Sequence, residues 1–152
     1  MVTMVIAGTL ASISVYGFAN YRNTTQHQGS AQELVSVLRS ASEQAISEGR
    51  TYCVDLENAS PATGNRTFST WRYSCGGAGS SQFGGSRTTQ STDISFSATV
   101  TSPAPPSCPA THACLYFYPR GTALPATVTV TSSKRSKKYI IHVEELTARV
   151  YI

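Results

Sequence analysis

Histidine, cysteine and clustered lysine are the side chains here whose chemistry is accessible near neutral pH, so their spacing is the first thing to weigh. The chain has three histidines, His27, His112 and His142, and four cysteines, Cys53, Cys75, Cys108 and Cys114. His142 stands in YIIHV beside Glu144 and Glu145. A general base can use such a setting, but the strand-like surroundings read more simply as a surface histidine. CPATHAC places Cys108, His112 and Cys114 within seven residues. A closed zinc site would need a fourth ligand, and the spacing matches no standard finger. An even cysteine count without CxxC reads instead as disulfides of an exported chain. Cys108 with Cys114 would close a short Pro-rich loop, and Cys53 with Cys75 would tie two segments across a hairpin. Three connectivities remain open to four cysteines.

The remaining signals argue against an enzyme. Asp55, Glu57 and Asp93 are scattered and do not suggest a paired-carboxylate site. GGAGSSQFGG has glycines but no strand-to-helix context, so it is not a phosphate cradle. GxSxG and HExxH do not occur. No catalytic residue, metal or cofactor is expected. The net charge of +4 comes largely from SKRSKK at 133–138. Lys134, Arg135, Lys137 and Lys138 make either a solvated turn or a contact for an anionic partner, a nucleic acid or a lipid surface. Tyr139 and Tyr151 could stack on bases, with Arg120 and Arg149 adding charge.

The elements that must position these groups follow from periodicity. Leu34, Val35, Val37, Leu38, Ala41 and Ala45 recur in steps of three and four, which puts them on one helical face. Ser36, Arg39, Glu43 and Ser47 cover the other, and Gly49 serves as C-cap. SAQE at 30–33 has the form of a capping box after a weak point at Gly29, so the helix is expected to restart at Ser30 after a kink. Strands are expected at TYCVDL, TFSTWRYS, ISFSATV, LYFYP, ATVTVT, KYIIHV and ARVYI. In ISFSATV, Ile94, Phe96, Ala98 and Val100 point one way. CGGAGSSQFGGSRTTQST reads as an exposed loop. The last three strands form an antiparallel meander with tight connections. The fold class is therefore α+β, a helix laid on an antiparallel sheet.

The first ionised side chain is Arg22, so residues 1–19 carry no charge. That length approaches the roughly 20 apolar residues that cross a bilayer. Gly8 and Gly17 interrupt it, and Thr3, Thr9, Ser12 and Ser14 dilute it. Small residues allow close approach of helix backbones. The segment reads either as a plain single-span anchor or as a rod meant to pack against copies of itself. Two units follow: an apolar assembly and membrane helix at 1–28, and a globular unit at 29–152. Asn23, Asn58 and Asn65 begin N-x-S/T triplets, a weak glycosylation signal.

AQELVSVLRSASEQAISEGR resembles the helix of the type IV pilins and type II secretion pseudopilins. More narrowly, it resembles the minor pseudopilin subfamily that includes DNA-uptake minor pilins. The matching residues are Leu34, Leu38, Arg39, Ala41, Gly49 and Arg50. FYPRGTA, Phe117 to Ala123, resembles the same subfamily's central strand and turn. The family's cleavage site and helix glutamate have no counterpart from Met1 onward, so the resemblance assigns those roles to no residue here. It implies a structural subunit of an extracellular pilus-like filament, anchored in the inner membrane before assembly. Polymerisation with its own copies or other pilins would run through Val2, Val5, Ile6, Gly8, Leu10, Ile13 and Gly17. The alternative it implies is a minor subunit at the tip that binds DNA through Lys134, Arg135, Lys137 and Lys138.

Overall fold

The computed structural model describes residues 2–56, 67–76, 79–89, 93–100, 108–109 and 112–152; for residues 2–20 and Arg135 it describes the backbone alone. The chain opens with helix α1, Val2–Glu48. At about 1.5 Å per residue this rod is about 70 Å long. The expected restart does not occur: α1 runs as one helix through Gly29. One glycine costs about 1 kcal/mol in a helix interior, less than renucleating a helix whose next turns are anchored by packing. Ser30 is therefore a buried mid-helix residue. The backbone donors it would have capped are already bonded within the helix.

The C-terminus of α1 is where the sequence put it. Gly49 takes φ +63°. Its N–H donates to the Ile46 carbonyl at 3.4 Å, and the Arg50 N–H donates to the Ala45 carbonyl at 3.2 Å. This pair of bonds is a Schellman cap, which needs a left-handed residue at Gly49.

Eight strands follow, in two antiparallel sheets. They are β1 Tyr52–Leu56, β2 Thr67–Arg72, β3 Ser81–Thr88, β4 Ile94–Val100, β5 Ala113–Phe117, β6 Ala126–Ser132, β7 Arg135–Val143 and β8 Val150–Tyr151. One sheet has the order β3-β2-β1-β5 and the other β4-β6-β7-β8. The meander read from the last three segments is β6-β7-β8. Its first turn is only Ser133-Lys134, so Arg135, Lys137 and Lys138 belong to β7 rather than to a loop.

The stretch expected as a wholly exposed loop contains β3, an edge strand paired with β2. Ser69 pairs with Ser86 but Thr70 with Phe83, so Gly84 and Gly85 bulge out, both at positive φ. Only Phe83 turns partly inward. An edge strand held by backbone bonds, with almost nothing to bury, leaves no alternation in the sequence.

The main core lies between α1 and the sheets. Leu34 and Leu38 of α1 are sealed there with Tyr52, Leu56, Phe68, Phe96, Phe117 and Ile141. β1 is buried along its whole length. Tyr52, Val54 and Leu56 belong to the main core. Cys53 belongs instead to a smaller cluster with Cys75, Cys114 and Tyr116, flanked by Trp71 and Tyr118.

Candidate functional site

Among the described side chains of α1, the buried positions begin at His27. His27, 3% exposed, meets the Tyr139 ring edge-on with centroids 4.8 Å apart. Its Nε2 lies 3.3 Å from the Val130 carbonyl, which can only accept. Higher up, Arg39, exposed on the polar face, reaches β8. Its Nε and Nη2 donate to the Val150 carbonyl at 3.2 and 2.9 Å. At the top, Gly121 turns at φ +75° against the Ile46 side chain, with 3.6 Å to where a Cβ would lie. FYPRGTA thus forms a tight turn, closed by the Gly121 N–H on the Tyr118 carbonyl at 3.0 Å and by pairing of Phe117 with Ala123.

The helix end is also tied to the first sheet. Arg72 donates from Nη2 to Glu48 Oε1 at 3.0 Å and from Nε to the Tyr52 hydroxyl at 2.9 Å. Its guanidinium stands 5.0 Å from the Phe83 ring centre. The Tyr52 hydroxyl and Arg72 hold the Glu48 carboxyl below its usual pKa. Burial raises the Tyr52 phenol. The hydrogen bond to Tyr52, then Glu48, raises Arg72.

The four cysteines form two disulfides, Cys53–Cys75 and Cys108–Cys114. The sulfurs of Cys53, Cys75 and Cys114 lie within 4.8 Å of one another. All three are spent in disulfides, so they are not thiolate ligands. His112, weighed above as a metal ligand, instead faces Asp55, with Nδ1 2.9 and 3.0 Å from the two carboxylate oxygens. Asp55 is buried and His112 partly so. A buried carboxylate demands such a partner. The pair had a readable signal: each member sits two residues from a cysteine, Cys53 or Cys114, and Asp55 pairs in register with Cys114, which brings His112 close by. Beside it the Trp71 indole N–H donates to Ser69 Oγ at 2.9 Å. Burial raises the nearby Tyr118 phenol.

The basic cluster is only partly free. Lys134 Nζ lies 2.6 Å from Asp93 Oδ2, and Asp93 also accepts the Ser133 amide at 2.9 Å through its carbonyl. Lys137 sits 5.1 Å from the Tyr139 ring centre, and Lys138 is exposed. The partners imagined with them lie elsewhere. Arg120 adjoins the Gly121 turn near the helix C-terminus, Arg149 sits beside Arg39 and Glu43 in a hollow of about 350 Å³, and Tyr151 stacks near His142.

A second groove of about 270 Å³ runs between α1 and β3, lined by Ser36, Ser40, Phe68, Phe83 and Arg87. Val2, Val5, Ile6, Gly8, Leu10, Ile13 and Gly17 lie on helical backbone, but their side chains fall outside the described residues. Among the described residues no helix is long and apolar enough to cross a membrane. Asn23 is half-buried in α1; Glu57, Asn58 and Asn65 fall outside the described residues.

The fold is that of solved pilin-like proteins. The minor pseudopilin EpsH from the type 2 secretion system of Vibrio cholerae matches with a TM-score of 0.61 at 16% identity, over 83% of this chain and 94% of that one. The type IV minor pilin FimU of Pseudomonas aeruginosa matches with a TM-score of 0.64 at 14% identity, over 87% and 91%. Among curated proteins nothing matches. The family model for the type II transport protein GspH matches residues 30–146, which span the packed half of α1 and the sheets as far as the turn before β8. The chain therefore belongs to the type II transport protein GspH family, within the pilin and pseudopilin group.

Proposed function

We propose that this chain is a subunit of a pilus-like filament in the cell envelope, polymerising through the uncharged N-terminal part of α1. One observation carries the reading. α1 continues as helical backbone to Val2, and among its described side chains those from Tyr21 to Gln26 are not buried. Burial among them starts at His27, while Tyr21 is 70% exposed and Arg22 is exposed. The residues beyond, 2–19, are uncharged. A rod of that composition is unfavourable in water, at roughly 25 cal/mol for each Å² of apolar surface left exposed. Lipid shelters it before assembly, and the same segments of neighbouring copies, or of other pilins, shelter it afterwards. Membership of the GspH family supports this use of the fold.

The DNA-gripping alternative is not preferred. Lys134 is bonded to Asp93, and Arg120, Arg149 and Tyr151 do not join the hairpin. Electron microscopy tests the main reading: the full chain, released from detergent, forms fibres, and a chain lacking residues 1–26 stays folded and monomeric. Fibres from the shortened chain would overturn it.

A further inference from the structure

We propose that the β6–β7 hairpin is a footing on an anionic lipid surface, pressed against the headgroups while the subunit waits in the membrane. The inference rests on the proposed membrane helix, and it follows from which end of the sheet carries the lysines.

The sheet has a direction relative to α1. Val150, paired with Val143, is level with Arg39. Val130 and Tyr139 are level with His27. β6 therefore runs toward the helix N-terminus, and its turn lies beyond His27. From Val130 to Ser132, its last residue, the strand advances about 7 Å, and the turn Ser133-Lys134 follows. From His27 back to Arg22 the helix covers about 8 Å. The turn thus reaches the level of Arg22, the first charged residue after the uncharged segment. With residues 1–19 in hydrocarbon about 30 Å thick, that level is the headgroup layer.

The side chains change character in step. Val143, Ile141 and Tyr139 share one side of β7 by period two; the register shifts beyond Tyr139, and Lys137 stands with its ammonium 5.1 Å from the Tyr139 ring centre. From Val143 to Lys137 they pass from buried, through half-buried, to exposed. Lys137 thus lies next to Tyr139, past the end of the core. Lys134 and Lys138 are exposed nearby, and Arg22 is exposed on the helix itself. The first acidic residue of α1 is Glu33, eleven positions and about 16 Å above Arg22. Asp93, bonded to Lys134, is the acidic group that meets the turn. The stem end therefore presents Arg22, Lys137 and Lys138 as exposed cations, with Lys134 held by Asp93. Cations held at the depth of lipid phosphates suit an anionic bilayer better than a duplex, which would have to approach the same side as the membrane.

The test uses the full chain in vesicles of phosphatidylcholine alone and of phosphatidylcholine with about one lipid in four replaced by phosphatidylglycerol. Amide hydrogen exchange is followed at 133–138. Exchange there slows at least about fivefold in the anionic vesicles, one favourable cation–surface contact's worth. The effect fades near 0.5 M salt, where the screening length is about 4 Å. Replacing Lys134, Lys137 and Lys138 together by Gln abolishes the slowing, whereas Arg120→Gln, at the opposite end, keeps it. Equal exchange in both vesicles, or slowing that survives the triple variant, overturns the proposal. So does a hairpin protected by a short DNA duplex and indifferent to anionic lipid, which would make nucleic acid the partner. Flotation separates the two readings. A chain that floats with neither vesicle overturns the membrane helix and this proposal together; a chain that floats with an indifferent hairpin overturns this proposal alone.

Discussion

Arg39 and Val150 join the middle of the helix to the end of the chain: two nitrogens of one guanidinium converge on a single backbone carbonyl. The carbonyl belongs to a two-residue strand, β8, paired only with the end of β7. A charged donor to a partly buried carbonyl is worth about 1.5–3 kcal/mol. Arg39→Ala is expected to lower stability by about 2 kcal/mol in denaturant titration and to speed amide exchange in β8 before other strands. Arg39→Lys recovers only part, since a single ammonium cannot reproduce the fork.

The disulfides should differ in worth. Loop-closure entropy gives about 3 kcal/mol for the 22-residue separation of Cys53–Cys75 and about 2 kcal/mol for the 6-residue separation of Cys108–Cys114. Paired Cys→Ala replacements compared by thermal unfolding are expected in that order. Both cysteines of the longer bridge are buried in the small cluster, so its loss also leaves a packing defect.

Asp55 depends on His112. His112→Ala strands a buried carboxylate and is expected to cost about 3 kcal/mol. Adding Asp55→Asn to that variant removes the uncompensated charge and should restore part of the loss. A double-mutant cycle with non-additivity of at least about 1 kcal/mol checks the coupling.

Two glycines of one helix should behave oppositely. Nothing stands within 4 Å of where a Gly29 Cβ would lie, and its backbone is helical. Gly29→Ala is therefore expected to raise stability by about 0.5–1 kcal/mol. Gly49→Ala puts a Cβ on a residue at φ +63° and is expected to lower it by about 1 kcal/mol. Thermal melts of the two variants decide.

Glu48 gives stability a pH dependence. Its carboxyl is held below its ordinary value of 4.5 by Tyr52 and Arg72. A depressed folded-state pKa contributes stability that is present above the unfolded value and lost as pH falls through the folded one. Unfolding midpoints between pH 6 and pH 3 should therefore decline less steeply for Glu48→Gln than for the parent. The group is exposed, so the difference is small.

How much of this was legible depends on what each element buries. The packed half of α1 was readable because Leu34, Leu38, Ala41 and Ala45 repeat with the helix period and all face the core. β4 was readable because Ile94 and Phe96 alternate with serines. β3 was not, because it is an edge strand of which only Phe83 turns partly inward, so its sequence carries no alternation. Continuity through Gly29 was hidden because local capping signals lose to a helix held on both sides of the glycine. Arg39 is exposed, as its place on the polar face implies, but its bond to Val150 was not legible because the partner is 111 positions away and is a carbonyl, a group every residue offers. Asp55 and His112 were within reach, marked by their shared distance from cysteines, but were weighed for catalysis and metal rather than for each other.

The paired glycines in β3 carry a consequence for the proposed filament, in which copies of the chain would lie crowded together. An open sheet margin invites a neighbour's strand to add to it, the first step of cross-β growth. Gly84 and Gly85 interrupt that margin midway, leaving only short straight runs on either side. Crowded copies are thereby steered away from amyloid-like stacking at this border.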